Sequence, residues 1–263
     1  MHHKPVALVT GANQGIGLQI AKDPKTAMSL DGKRVVIIGG ATGIGFAVAE
    51  LACRSGATTV IGSSNEANVG AAVGRLQNAT GRTLDLRDEA KVAGFFEELG
   101  VFDHLAITAG DWGGPMFVST RDLDLKQARE LFTVRFWGAL AAVKHGCRAI
   151  AQDGSITLTS GIIAHRPRKN TPVSSAVGGA VEHLTRGLAI DLAPIRVNAV
   201  CPGLVLTEHM KQRPEAMLQS MVAPLPVPRA AAPAEAAKAY VYLMLNEYAT
   251  GQILPVDGGG LLI

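Results

Sequence analysis

Gly39, Gly43 and Gly45 stand in the stretch GGATGIG, directly after the β-branched run RVVIIG and directly before a helical pattern. Glycines so spaced make a tight turn and let a phosphate approach the backbone. They also open a helix whose first N–H groups face that phosphate. Dinucleotide binding needs all three properties. A glycine pattern alone also fits an ordinary turn; the position between strand and helix favours the binding reading. A second chemical candidate is the loop GIIAHRPRKN, which carries His165, Arg166, Arg168 and Lys169. An imidazole has the intrinsic pKa for proton transfer near neutrality. Such a loop is ordinarily solvated; together with Arg135 it would also suit an anionic substrate. Trp112, in AGDWGGP, either walls a cleft or packs in the core.

These residues need a scaffold, and two alternating periods supply it. RVVIIG (34–39), TTVIG (58–62), RTLDL (82–86), DHLAIT (103–108), SITLTS (155–160) and IRVNAV (195–200) read as strands. Helical patterns fill 43–55, 65–76, 88–99, 124–151 and 174–193. Strand–helix alternation at this spacing predicts βαβ units and a parallel sheet covered on both faces. Ligands of such sheets bind at the carboxyl ends of the strands.

The glycine fingerprint also occurs earlier, in ALVTGANQGIGLQIAKD (7–23), with Gly11, Gly15 and Gly17. Pro24 stops its helix, and no second strand precedes the next fingerprint. A mononucleotide unit needs strand, helix and strand. Residues 1–27 therefore read as an appended fragment, or else as an arm that packs on the domain. Residues 28–263 read as one dinucleotide-binding domain.

The 263 residues carry a net charge of +3, too small to imply a nucleic-acid or membrane partner. No apolar run approaches the roughly 20 residues that span a bilayer. Cys53, Cys147 and Cys201 are odd in number and widely spaced. They fit reduced thiols in a cytoplasm, and neither a disulfide framework nor a metal site.

Further landmarks follow in order: LDL with Asp85, ITAG at 107–110, SITLTSG, then VSSAVGGAVEHLTRGLAIDLAPIRVNAVCPGLVLTE, and a closing TGQILPVDGGG. From residue 28 to the end, this order and spacing resemble the short-chain dehydrogenase/reductase family. The resemblance implies a Rossmann-type, doubly wound α/β domain of about seven parallel strands. It also implies NAD or NADP as cofactor and a homodimer or homotetramer. Carried over by position, Gly39, Thr42, Gly43, Ile44 and Gly45 hold the phosphates. Asp85 and Leu86 flank the adenine, and Ala109 and Gly110 approach the ribose. Pro202, Gly203, Val205 and Thr207 cradle the nicotinamide. The dimer face would lie on the helices at 124–151 and 174–193, with Ala139, Ala141, Ala142, Gly179 and Ala180.

After the second strand stands VIGSSNEAN. Ser63 occupies the place of the acid that holds the ribose hydroxyls in NAD-preferring members. With Ser64 and Asn65 beside it, the segment favours NADP over NAD.

The family's acid is a tyrosine, with a lysine four residues later lowering its pKa. Those positions match Ser174 and Gly178. The only tyrosines are Tyr240, Tyr242 and Tyr248, and no Tyr-x-x-x-Lys occurs. The catalytic serine's position falls on Gly161 with Ser160 just before it, and that of the assisting asparagine on Arg135. The candidate catalytic residues are thus Ser160, Ser174, Arg135 and His165. Two readings follow. One is an NADP(H)-dependent oxidoreductase of a small carbonyl or alcohol with altered catalytic residues. The other is a catalytically silent dinucleotide-binding protein.

Overall fold

Strand β1 (Arg34–Ile38) pairs in parallel with β2 (Thr58–Ser63) on one side and with β4 (Phe102–Ile107) on the other. This computed structural model describes residues 29–110 and 117–263. The first glycine fingerprint, the boundary at residue 27 and Trp112 lie outside the described residues. Adding β3 (Ala79–Thr83), β5 (Ile150–Thr159), β6 (Arg196–Pro202) and β7 (Ile253–Val256) gives one parallel sheet of seven strands, ordered β3-β2-β1-β4-β5-β6-β7. The connections run one way from β1 and the other way from β4. Between these two strands lies the switch point at which such sheets bind ligands.

The central strands are β-branched and buried on both faces, as a sheet covered by helices requires. Val35, Val36, Ile37 and Ile38 are all at most 1% exposed. One apolar layer joins the sheet to α3 (Glu89–Leu99), α5 (Ala139–Gly146) and α6 (Pro172–Asp191) through Phe95, Val143 and Val181. The opposite layer joins it to α1 (Gly43–Arg54), α2 (Glu66–Val73) and α9 (Pro233–Leu245) through Val48, Val69 and Tyr240. Burying each such side chain contributes about 1.5–3 kcal/mol. Helix starts follow short polar caps. Asn65, Asp88 and Asp124 accept from backbone N–H groups in the first turns of α2, α3 and α4 (Leu125–Phe132). Two short helices, α7 (Glu208–Lys211) and α8 (Glu215–Val222), cross from β6 to α9. Among the described residues no helix is long and apolar enough to cross a membrane.

Two expected elements and one expected surface differ. The third strand is Ala79–Thr83, a mostly exposed edge, and not 82–86. Leu84 and Leu86 are buried at 3% and 5%, but in the segment after the strand. The expected helix over 124–151 is broken by a π-helical turn (Thr133–Gly138) and ends at Gly146. Ala139 and Ala142 face the core and are not on an open face.

Candidate functional site

A cleft of about 370 Å³ opens at the carboxyl ends of β1, β2 and β4. The turn after β1 forms its floor and aims the N-terminus of α1 into it. Gly39 has φ +85°, and a Cβ there would sit 2.5 Å from Ala109 N. A Cβ on Gly45 would collide with the Gly39 carbonyl oxygen. Both positions therefore exclude a side chain, because its Cβ would strike the backbone that shapes the turn. Thirteen of the expected cofactor residues line this cleft: Gly39, Thr42, Gly43, Ile44 and Gly45 from the turn; Ser63, Ser64 and Asn65 after β2; Asp85 and Leu86 after β3; Ala109 and Gly110 after β4; and Thr207. The Thr207 methyl covers Gly43, 3.2 Å from where a Cβ would stand.

Pro202, Gly203 and Val205 do not line the cleft. Gly203 N donates to Val256 O at 2.9 Å, and Val205 is buried against Ala231. They carry the chain across to Thr207. The structure adds lining residues that the sequence reading passed over: Asn68, Arg87 and His209. Arg87 donates to Asp85 Oδ1 from its backbone N at 3.0 Å and its Nη1 at 3.2 Å, so the ion pair shares the cleft lining with Ser63, Ser64 and Asn65.

A smaller cavity, about 40 Å³, lies between β5, the π-helical turn and α6. Ser160, Ser174 and Arg135, three of the four candidate catalytic residues, line it together with Gly161 and Gly178. Arg135 also meets the larger cleft, with Nη2 3.0 Å from a Cβ placed on Gly110. The basic loop does not converge. Arg166 donates to Leu261 O at 2.7 Å, and neither cavity is lined by His165, Arg166, Arg168 or Lys169.

His165 turns instead to a residue that the sequence reading missed. Its Nε2 lies 2.9 Å from Glu182 Oε1, which also accepts from Ser160 Oγ at 3.0 Å. Glu182 is 3% exposed. It stands one helical turn after Gly178 and two after Ser174, on the same face of α6, so helical spacing alone could have flagged it. Cys201 Sγ belongs to the same nest, with all its donor atoms within 4.8 Å. Burial pushes the Cys201 thiol up to about 11.

Comparison with known proteins decides the family. A family model described as Enoyl-(Acyl carrier protein) reductase matches residues 39–260. The short-chain dehydrogenase/reductase ucsE of Acremonium sp is 36% identical over 265 residues, spanning 90% of this chain and 98% of the relative. This chain belongs to the short-chain dehydrogenase/reductase family. Two solved members show the same fold. A small-chain dehydrogenase in complex with NADPH is 36% identical with a TM-score of 0.74, over 89% of this chain and all of the other. The MalC Reductase/Diels-Alderase from Malbranchea aurantiaca is 32% identical with a TM-score of 0.82, over 89% of this chain and 97% of the other. The dehydrogenase/reductase domain thus accounts for the seven-stranded sheet and the position of both cavities at its carboxyl edge.

Proposed function

We propose that the protein is an NADP(H)-dependent oxidoreductase acting on a small carbonyl or alcohol, with proton-handling residues that depart from the family's tyrosine and lysine. The observation that carries this reading is the 370 Å³ cleft, with its glycine cradle and the N-terminus of α1 at one end and the carboxylate-free segment Ser63–Ser64–Asn65 at the other. The pyrophosphate would lie against the α1 N-terminus, where N–H groups and the helix dipole favour an anion. Hydroxyl groups at 63 and 64 and the Arg87 cation suit a 2′-phosphate. A bound nicotinamide dinucleotide supplies the hydride. The related small-chain dehydrogenase solved with NADPH supports the same choice.

Arg135 lines the smaller cavity and lies next to Gly110 in the wall of the cleft, and its planar fork suits a carbonyl oxygen or a carboxylate. Ser174, 9% exposed, lines the smaller cavity but is too weak an acid to act alone. Residues 1–27 we read as dispensable, since nine-tenths of this chain spans 98% of ucsE.

Calorimetric titration with NADPH and NADH tests the cofactor. NADPH oxidation against a panel of small ketones and aldehydes tests the chemistry. Binding of NADPH without turnover of any carbonyl selects the silent-protein reading, which Ser174 and Gly178 at the acid and lysine positions favour. Binding of neither nucleotide removes both.

A further inference from the structure

We propose that Ser160, Glu182 and His165 form a proton path from solvent to the small cavity, doing there the work of the family's tyrosine. The inference rests on the carbonyl-reduction reading above and deepens it. Ser160 lines the cavity, and its Oγ donates to Glu182 Oε1 at 3.0 Å. The same oxygen meets His165 Nε2 at 2.9 Å. The His165 side chain is 39% exposed, while that of Glu182 is 4% exposed. The chain of groups therefore begins in the cavity, crosses a buried carboxylate and ends in water, with no hydrogen bond missing.

A buried carboxylate is costly unless it is fully partnered. Solubility does not require one here, and packing would be served by an apolar side chain like its neighbours Val177 and Val181. Other polar groups around the path are few. Cys201 from β6 and Asp257 beyond β7 face the inner end. Arg135 borders the cavity, and Arg166, next to His165, is turned to the Leu261 carbonyl.

The chemistry balances. Carbonyl reduction would place on carbon one hydride, a hydrogen with its electron pair, supplied by a reduced nicotinamide, and the π pair of the C=O bond becomes a lone pair on an alkoxide oxygen. The His165 imidazolium first gives its Nε2 proton to Glu182 Oε1, which becomes a carboxylic acid. That acid then gives its proton to Ser160 Oγ, while the Ser160 hydroxyl, turned from Glu182 into the cavity, gives its own proton to the alkoxide oxygen. Ser160 and Glu182 finish as they began. Only the imidazolium has changed, to imidazole, and water returns its proton. Alcohol oxidation runs the same path backward.

The test uses the full chain with Ser160→Ala, His165→Asn and Glu182→Gln. NADPH oxidation is measured on the carbonyl that the wild type reduces fastest, and the His165 ring is titrated by NMR. In the wild type, kcat falls as pH rises through the His165 pKa found by NMR. Ser160→Ala lowers kcat about 10²-fold, the usual scale of acid–base help, with KM and NADPH affinity little changed. His165→Asn flattens that limb of the pH profile. Glu182→Gln lowers kcat about as much as Ser160→Ala and breaks the link between the pH limb and the His165 titration, because the relay between serine and histidine is gone. If Glu182→Gln does not fold, the other two variants decide. A kcat profile unrelated to the His165 titration overturns the path, as does a loss under threefold in Ser160→Ala and His165→Asn. Wild type that binds NADPH but reduces no carbonyl overturns the path and leaves the cofactor reading standing. Failure to bind NADPH overturns the proposed function itself.

Discussion

Thr159 Oγ1 and Tyr240 Oη lie 2.6 Å apart, joining the end of β5 to α9 on the face of the sheet away from α6. Thr159 donates to Ile107 O at 2.7 Å, so the phenol is the donor of the pair. Tyr240 is fully buried, and burial holds its phenol above the ordinary range. It is the wrong side of the sheet, and the wrong protonation range, for an acid in the cleft. Tyr240→Phe is expected to cost about 1 kcal/mol in urea unfolding, one hydrogen bond's worth. NADPH affinity and any turnover should stay within twofold of the parent. A tenfold loss of turnover without loss of fold would return Tyr240 to the mechanism.

Cofactor preference should reside at residue 63. Ser63→Asp places a carboxylate that accepts from the ribose hydroxyls and repels a 2′-phosphate. Calorimetry should show NADPH binding weakened by about tenfold or more relative to NADH, a change of roughly 1.4 kcal/mol. Unchanged preference would move the 2′ site elsewhere in the cleft.

Restoring the family's acid needs three changes. A Cβ at Gly178 would stand 3.0 Å from the Ala164 Cβ, so a lysine there presses on the turn after β5. Ser174→Tyr with Gly178→Lys and Ala164→Gly should reduce ketones about 10²-fold faster than the parent. The same pair without the Ala164 change should gain less and melt lower. Equal rates for parent and triple variant would mean that the parent's own proton donor is already sufficient.

Acid sensitivity should come from His104. It is 4% exposed, bonded through Nδ1 to Ser155 Oγ at 2.9 Å, and burial lowers its pKa to about 4. An unfolded chain takes up this proton near 6.5, while the native one takes it up near 4. Between those values the unfolded state binds more protons, so stability falls as pH drops through the window. The loss is about 3 kcal/mol at its lower end. Urea unfolding at pH 7 and pH 4.5 should show this drop, and His104→Gln should remove most of it. An equal drop in the variant would assign the effect to other groups.

Association should run through α4 and its neighbours. Leu125, 64% exposed, lines a groove with Phe132, Pro172 and Val173, and Trp137, on the π-helical turn that follows, is 62% exposed. Apolar side chains gathered in this way mark an interface. Light scattering should find a homodimer or homotetramer, and Leu125→Glu with Trp137→Glu should give monomer. A monomeric parent at micromolar concentration would count against the interface.

The sheet was legible because its strands are β-branched and its turns glycine-marked. Gly39, Gly43 and Gly45 announce the cradle by needing no side chain, and that is a property of sequence. Strand β3 was misplaced because Leu84 and Leu86 are apolar for a different reason: they are buried after the strand, and Leu86 walls the cleft. The π-helical turn was hidden because an apolar helical spacing runs on through Thr133–Gly138, although five of those six residues are weak helix formers. Glu182 was passed over because a lone glutamate on an amphipathic helix looks solvated. Only its distance in turns from Ser174 and Gly178 hints that it points inward.

The close fit of Gly178 to Ala164 also makes the pair a spacer. A Cβ at 178 would stand 3.0 Å from the Ala164 Cβ, so the turn at 162–164 rests against a bare stretch of α6. Any larger side chain at 178 must wedge that turn away from the helix before it can reach into the cavity.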